Sequence, residues 1–132
     1  MPRTRVVEIR NLVRADSATH PLPRIPYEGI ARDILSSSYQ LSLVICGDTL
    51  AKKLNRTHRK KEYPANVLSF ALDTSEGEIF LNVDAAEREA KRFGVPFRAH
   101  LMLLFAHGCL HLKGLRHGPK MEHAEQKMLK RF

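Results

Sequence analysis

FRAHLMLLFAHGCLHLKGLRHG, residues 97–118, decides how the rest of the chain is read. Its first half is apolar nearly all round, which predicts a helix buried on most sides and central to the fold. His107 and His111 stand four residues apart, so on that helix they stack on one face. Gly114 sits where a left-handed residue ends a helix, and the returning chain brings His117 to the same point. Three neutral imidazoles about 2.0–2.1 Å from one ion, with a fourth position left for water, make a catalytic zinc arrangement. Cys109 lies between the helical histidines and points to another face, so it is a poor fourth ligand. Zinc suits these donors, and nickel, copper or iron compete for them.

Working outward, the pattern predicts a strand over 6–13, a helix over 27–38 with Ile30, Ile34 and Leu35 on one face, and a buried strand over 39–47. Asp48 is expected to cap a helix running through Thr57, with Leu50, Ala51 and Leu54 inward. Residues 66–72 and 78–82 read as strands joined by a turn at 73–77. Asn82 or Asp84 starts a helix that Gly94 stops. A last helix over about 120–131 carries Met121, Ala124 and Met128 on one stripe. Four strands with interspersed helices describe an α/β or α+β domain, and the hairpin means that its sheet is not wholly parallel. No internal repeat or dividing linker appears, so residues 1–132 are expected to form a single domain. The proline-rich HPLPRIP (20–26) joins the first strand to the first helix.

A hydrophobic fraction of 43% fits a globular chain rather than a disordered one. No run approaches a membrane span. The N-terminal MPRTRVVEIRNLVRADS is basic but lacks an unbroken apolar segment and a small-residue cleavage site, so no secretory leader is expected. Cys46 and Cys109 sit among apolar residues and are expected to be buried free thiols, which suits a reducing cytoplasm. The formal charge of +8 and pI near 9.9 favour polyanionic partners such as nucleic acid.

The histidine spacing matches that of the metzincin proteases, His-Glu-x-x-His-x-x-Gly-x-x-His. Gly108 stands where the proteases carry the Glu that activates water, so peptide hydrolysis would lose its general base. A second stretch, LNRTHRKKEYPANVLSF (54–70), begins on a helix, crosses a basic loop and enters a strand. Lys52, Lys53, Arg56, Arg59, Lys60 and Lys61 form a run with no acidic residue, suited either to a solvated helix end or to an RNA backbone.

Together, HGCLHLKGLRHG, LNRTHRKKEYPANVLSF and GEIFLN resemble the YbeY family of metal-dependent endoribonucleases, from about residue 39 to 125. The resemblance implies a small α/β fold with a mixed four-stranded sheet and a zincin-like site on the central helix. It implies one zinc ion on His107, His111 and His117, and catalytic roles for Arg59 and His107. It further implies cleavage of single-stranded RNA, maturation of the 3′ end of small-subunit 16S rRNA, ribosome quality control, and partners in the small subunit and its associated proteins. The chain departs from the family pattern at Ala65 and Asn66, where Thr and Asp are usual, at Glu78 in place of Asp, and at Arg116 in place of an acidic residue. Arg59 offers a planar fork of donors that fits a phosphate. Whether water or the RNA 2′-OH attacks is open at this level. Two other classes compete: a zincin-type protease, and a non-catalytic ribosome-assembly factor with a structural metal. His20 and His123 acquire no role, His58 is placed to reach the site beside Arg59, and His100 is expected to pack or hydrogen-bond.

Overall fold

The computed structural model describes residues 5–13 and 22–132. His20 and the start of the 20–26 proline stretch lie outside these residues. In chain order the elements are β1 (Val7–Asn11), α1 (Tyr27–Leu35), β2 (Gln40–Cys46), α2 (Asp48–Arg59), β3 (Val67–Asp73), β4 (Glu76–Asn82), α3 (Val83–Phe93), α4 (Phe97–Lys113) and α5 (Pro119–Arg131).

One sheet has the order β1-β2-β4-β3. β1 pairs with β2 and β2 with β4 in parallel, while β3 returns antiparallel on β4. The sheet is therefore mixed, as the predicted hairpin requires. β3 occupies an edge, and this sets up the site.

Alternation along the strands gives the sheet two different faces. Leu41, Leu43, Ile45, Ile79 and Leu81 join one core cluster with residues of α1 and α4. Across β3 the partners Val67↔Leu81 and Ser69↔Ile79 lie on that same face. Leu68 and Phe70 alternate to the other face, where the Phe70 ring meets Phe80 edge-on at 5.9 Å and His58 at a tilt at 4.9 Å. His58 belongs to α2, so α2 covers the face opposite α4.

α4 packs against α1, α3, α5, β3 and β4. Nine of its seventeen residues are buried, which is why it carries no clean apolar stripe. Its approach to the sheet is close at Gly108, where an added Cβ would stand 3.0–3.2 Å from Ser69, Ile79 and Val67. Ser69 Oγ donates to the Gly108 carbonyl at 3.0 Å and fixes that contact.

Three local readings are adjusted by the fold. α2 is preceded by Gly47 with no side-chain cap, and it runs two residues past Thr57. Asp48 does not cap it: its carboxylate is taken by Arg88 at 2.6 and 2.9 Å and by Asn82 Nδ2 at 2.9 Å. The inward residues of α2 are Ala51 and Asn55, with Leu50 and Leu54 only half-buried. Asn82 caps α3, accepting from the backbone N–H groups of Asp84 and Ala85. Both cysteines are buried free thiols, and burial pushes Cys46 up to about 12 and raises Cys109 as well.

Candidate metal centre and nucleic-acid cleft

α4 ends in a tight reversal. Gly114 N–H bonds to the His111 carbonyl and Leu115 N–H to the Leu110 carbonyl, both at 3.0 Å, with Gly114 at φ +106°. This is the paired hydrogen-bonding of a Schellman turn, and only a residue without Cβ takes that backbone cheaply. The reversal carries His117 onto the face where His107 and His111 already stand. The three ring centroids lie 4.6–4.9 Å apart. One nitrogen from each ring falls within 4.8 Å of the others, a donor set able to hold a metal ion. His107 Nε2 and His111 Nε2 are 3.0 Å apart, close to the roughly 3.4 Å edge of a tetrahedron built on 2.0–2.1 Å bonds.

His107 Nδ1 lies 2.8 Å from Glu125 Oε1 on α5. A carboxylate there holds the proton on Nδ1 and leaves Nε2 bare toward the cluster. His111 is pushed below its ordinary 6.5 by burial first, then by the neighbouring rings of His107 and His117. Arg59 pushes the same way, and a hydrogen bond with the Leu115 backbone opposes them. The net lowering favours the neutral His111 ring, the form that binds a metal.

The triad opens into a cleft of about 920 Å³ that runs along edge strand β3. One wall comes from α4 and α5, and the other from the end of α2 with His58, Arg59 and Tyr63. Arg59 thus reaches the triad's cleft from the opposite face of the sheet. Its position depends on how α2 ends. Lys60 adopts a left-handed conformation at φ 55°, and Lys60 and Lys61 N–H return to the Arg56 and Asn55 carbonyls. The fully buried Asn55 then donates from Nδ2 to the Tyr63 carbonyl at 2.8 Å, pinning the loop that follows.

Of the expected RNA-contacting residues, Arg59 lines the cleft and Lys52, Lys53, Arg56, Lys60 and Lys61 do not. Those five are exposed on α2 and just beyond it, and Arg56 pairs with Glu62 at 3.3 Å. His58 lines the cleft and packs on Phe70. His100 is buried and meets Glu89 Oε1 at 2.8 Å.

Three residues of the site escape a reading of motifs. Glu125 sits four residues after Met121 and three before Met128, so a lone carboxylate on the apolar stripe of α5 was its available signal. Asn55 stands four after Ala51, likewise a polar residue on an inward face. Glu89 stands four after Ala85 and three after Ala86, again a polar residue on an inward face.

The family model described as Endoribonuclease YbeY matches residues 23–132. A relative of that name from Geobacter metallireducens is 35% identical over 111 residues, covering 74% of this chain and 74% of its own. Others from Aromatoleum aromaticum and Methylocella silvestris are 37% and 38% identical over 72% and 74% of this chain. The chain spans 64% and 62% of those two relatives' lengths. The fold is shared with the solution structure of TM1509 from Thermotoga maritima, at TM-score 0.65 and 21% identity over 94% of this chain and 87% of that one. Three histidines converging at the end of a buried helix thus accompany a match over most of the chain, and the chain belongs to the endoribonuclease YbeY family.

Proposed function

We propose that this chain is a metal-dependent endoribonuclease that cuts single-stranded RNA, with one zinc ion held by His107, His111 and His117. The observation that carries this reading is the meeting of that triad with Arg59 in one cleft along β3. Zinc at the triad supplies Lewis acidity toward a phosphoryl oxygen. Glu125 orients His107 so that its Nε2 faces the ion. Arg59 offers its guanidinium fork to the phosphate and to the charge that develops on it. The exposed Tyr63 and the Phe70 ring give bases apolar surfaces on which to stack beside that arginine. Lys52, Lys53, Arg56, Lys60 and Lys61 guide the RNA backbone toward the cleft without reading bases.

Family membership and basic charge support ribosomal RNA as the substrate. We place the activity in maturing the 16S 3′ end and in ribosome quality control, in contact with the small subunit. Among the described residues no helix is long and apolar enough to cross a membrane.

The protease alternative loses its base for a packing reason. Position 108 faces the sheet, and even one added carbon would press on Ser69, Ile79 and Val67. A glutamate there cannot reach the triad without displacing β3.

The test is turnover on single-stranded RNA and on casein, with and without chelator. Chelator-sensitive cleavage of RNA and none of casein is expected. RNA binding without cleavage by the zinc-loaded protein would favour an assembly factor with a structural metal.

A further inference from the structure

The cleft has a second polar end that the metal chemistry does not use. Glu89 on α3 and Asn66, just before β3, both line it. Glu89 Oε1 lies 2.8 Å from His100 Nε2, and Asn66 Nδ2 stands 3.2 Å from each Glu89 oxygen. The Asn66 backbone carbonyl is also committed, accepting from Asn82 N–H. A strut tying α3 to α4 would serve with its carboxylate covered. Here 21% of the Glu89 side chain stays accessible.

Three elements therefore fix one carboxylate in the cleft wall. Its distance from the triad follows from α4, because His100 precedes His107 by seven residues, or about 10 Å at 1.5 Å per residue. That offset suits the base of a nucleotide neighbouring a phosphate held between the triad and Arg59.

The geometry points to Glu89 as a base-reading residue that selects guanine beside the scissile phosphate, an inference that rests on the endoribonuclease reading. The Asn66 amide turns an N–H toward Glu89, and the acceptors at this end of the cleft are the Glu89 carboxylate and the Asn66 side-chain carbonyl. The guanine Watson–Crick edge presents two adjacent donors, N1–H and the N2 amine, which match a carboxylate. Cytosine and adenine present one amine beside a ring-nitrogen acceptor, and uracil flanks its single donor with two carbonyls. Each of those sets a lone pair against the carboxylate. Splayed single-stranded bases are read on this edge.

The test uses zinc-loaded protein and oligouridine strands carrying one guanosine, inosine, adenosine or cytidine. Inosine lacks only the N2 amine. Cleavage at a fixed distance from guanosine is expected, with kcat/KM for inosine lower by about tenfold. In Glu89→Gln the guanosine-to-inosine ratio should collapse to near unity. Equal rates for guanosine and inosine in the unaltered protein would overturn the proposal, and this comparison needs no variant to fold. A folded Glu89→Gln that keeps the full ratio would overturn it too. If the protein cuts no RNA at all, the endoribonuclease reading fails separately. Fluorescence anisotropy on the same strands then decides the base preference: tighter guanosine binding upholds it, and equal binding ends it.

Discussion

The two walls of the cleft are built differently. The triad wall rests on α4, whose other residues form the core, and each ring is set by something rigid: the helix for His107 and His111, the glycine turn for His117. The opposite wall puts Arg59 on the last turn of an exposed helix, followed by a non-glycine residue in a left-handed conformation. Asn55 ties that loop to the interior through Tyr63, and Asn82 holds its far end through the Ala65 carbonyl. A metal site tolerates little error in distance, so it belongs on the buried scaffold. A phosphate clamp works through a long side chain and draws less from the fold.

This contrast predicts which changes destroy the site and which only slow it. His111→Ala should break the triad wall outright. Metal measured by elemental analysis should fall from near one equivalent to near none, and RNA cleavage should vanish while RNA still binds. Arg59→Ala should test the other wall alone, with metal content and folding unchanged and single-turnover cleavage down on the order of a hundredfold. Arg59→Lys should recover little, because Lys lacks the two-pronged fork. A metal loss in Arg59→Ala would show that the two walls are not separable.

Glu125→Gln should give an intermediate result confined to the triad wall. Zinc affinity by competition with a chelator should weaken about 10- to 100-fold, since the amide oxygen still accepts from Nδ1–H but lacks the charge that raises the basicity of the ring. An unchanged affinity would mean that the helix alone sets the ring. On the Arg59 wall, Asn55→Ala should cost about 1–3 kcal/mol in denaturant unfolding, because it removes a buried hydrogen bond to the loop. It should lower cleavage without lowering metal content.

The smallest effects are in pH. His111 is held below 6.5 in the metal-free fold, so as pH drops below that value the unfolded chain takes a proton that the fold refuses. Metal-free protein should therefore lose melting temperature through this window, and His111→Gln should flatten the loss. Asp48 works in the opposite range. The Arg88 hydrogen bond lowers its pKa, so its stabilisation is complete above 3.8 and disappears as pH falls through the lowered value. With both side chains more than a third exposed, Asp48→Asn should cost about 1 kcal/mol or less.

The sequence by itself determined what lies within a few residues of chain. Histidines four apart on a helix share a face whatever surrounds them, and Gly114 reverses the chain because only glycine enters that backbone region freely. The hairpin over 67–82 and the burial of α4 follow from alternation and composition in the same way. Tertiary structure alone decided the contacts between elements. Glu125 meets His107 across eighteen residues, Asp48 leaves its own helix to meet Arg88 across forty, and Glu89 meets Asn66 and His100 across twenty-three and eleven. Arg59 reaches the triad's cleft only because β3 is an edge strand with α2 on one face and α4 on the other. Such pairings depend on where packed helices come to rest on the sheet, a result of the whole core rather than of any short window of sequence.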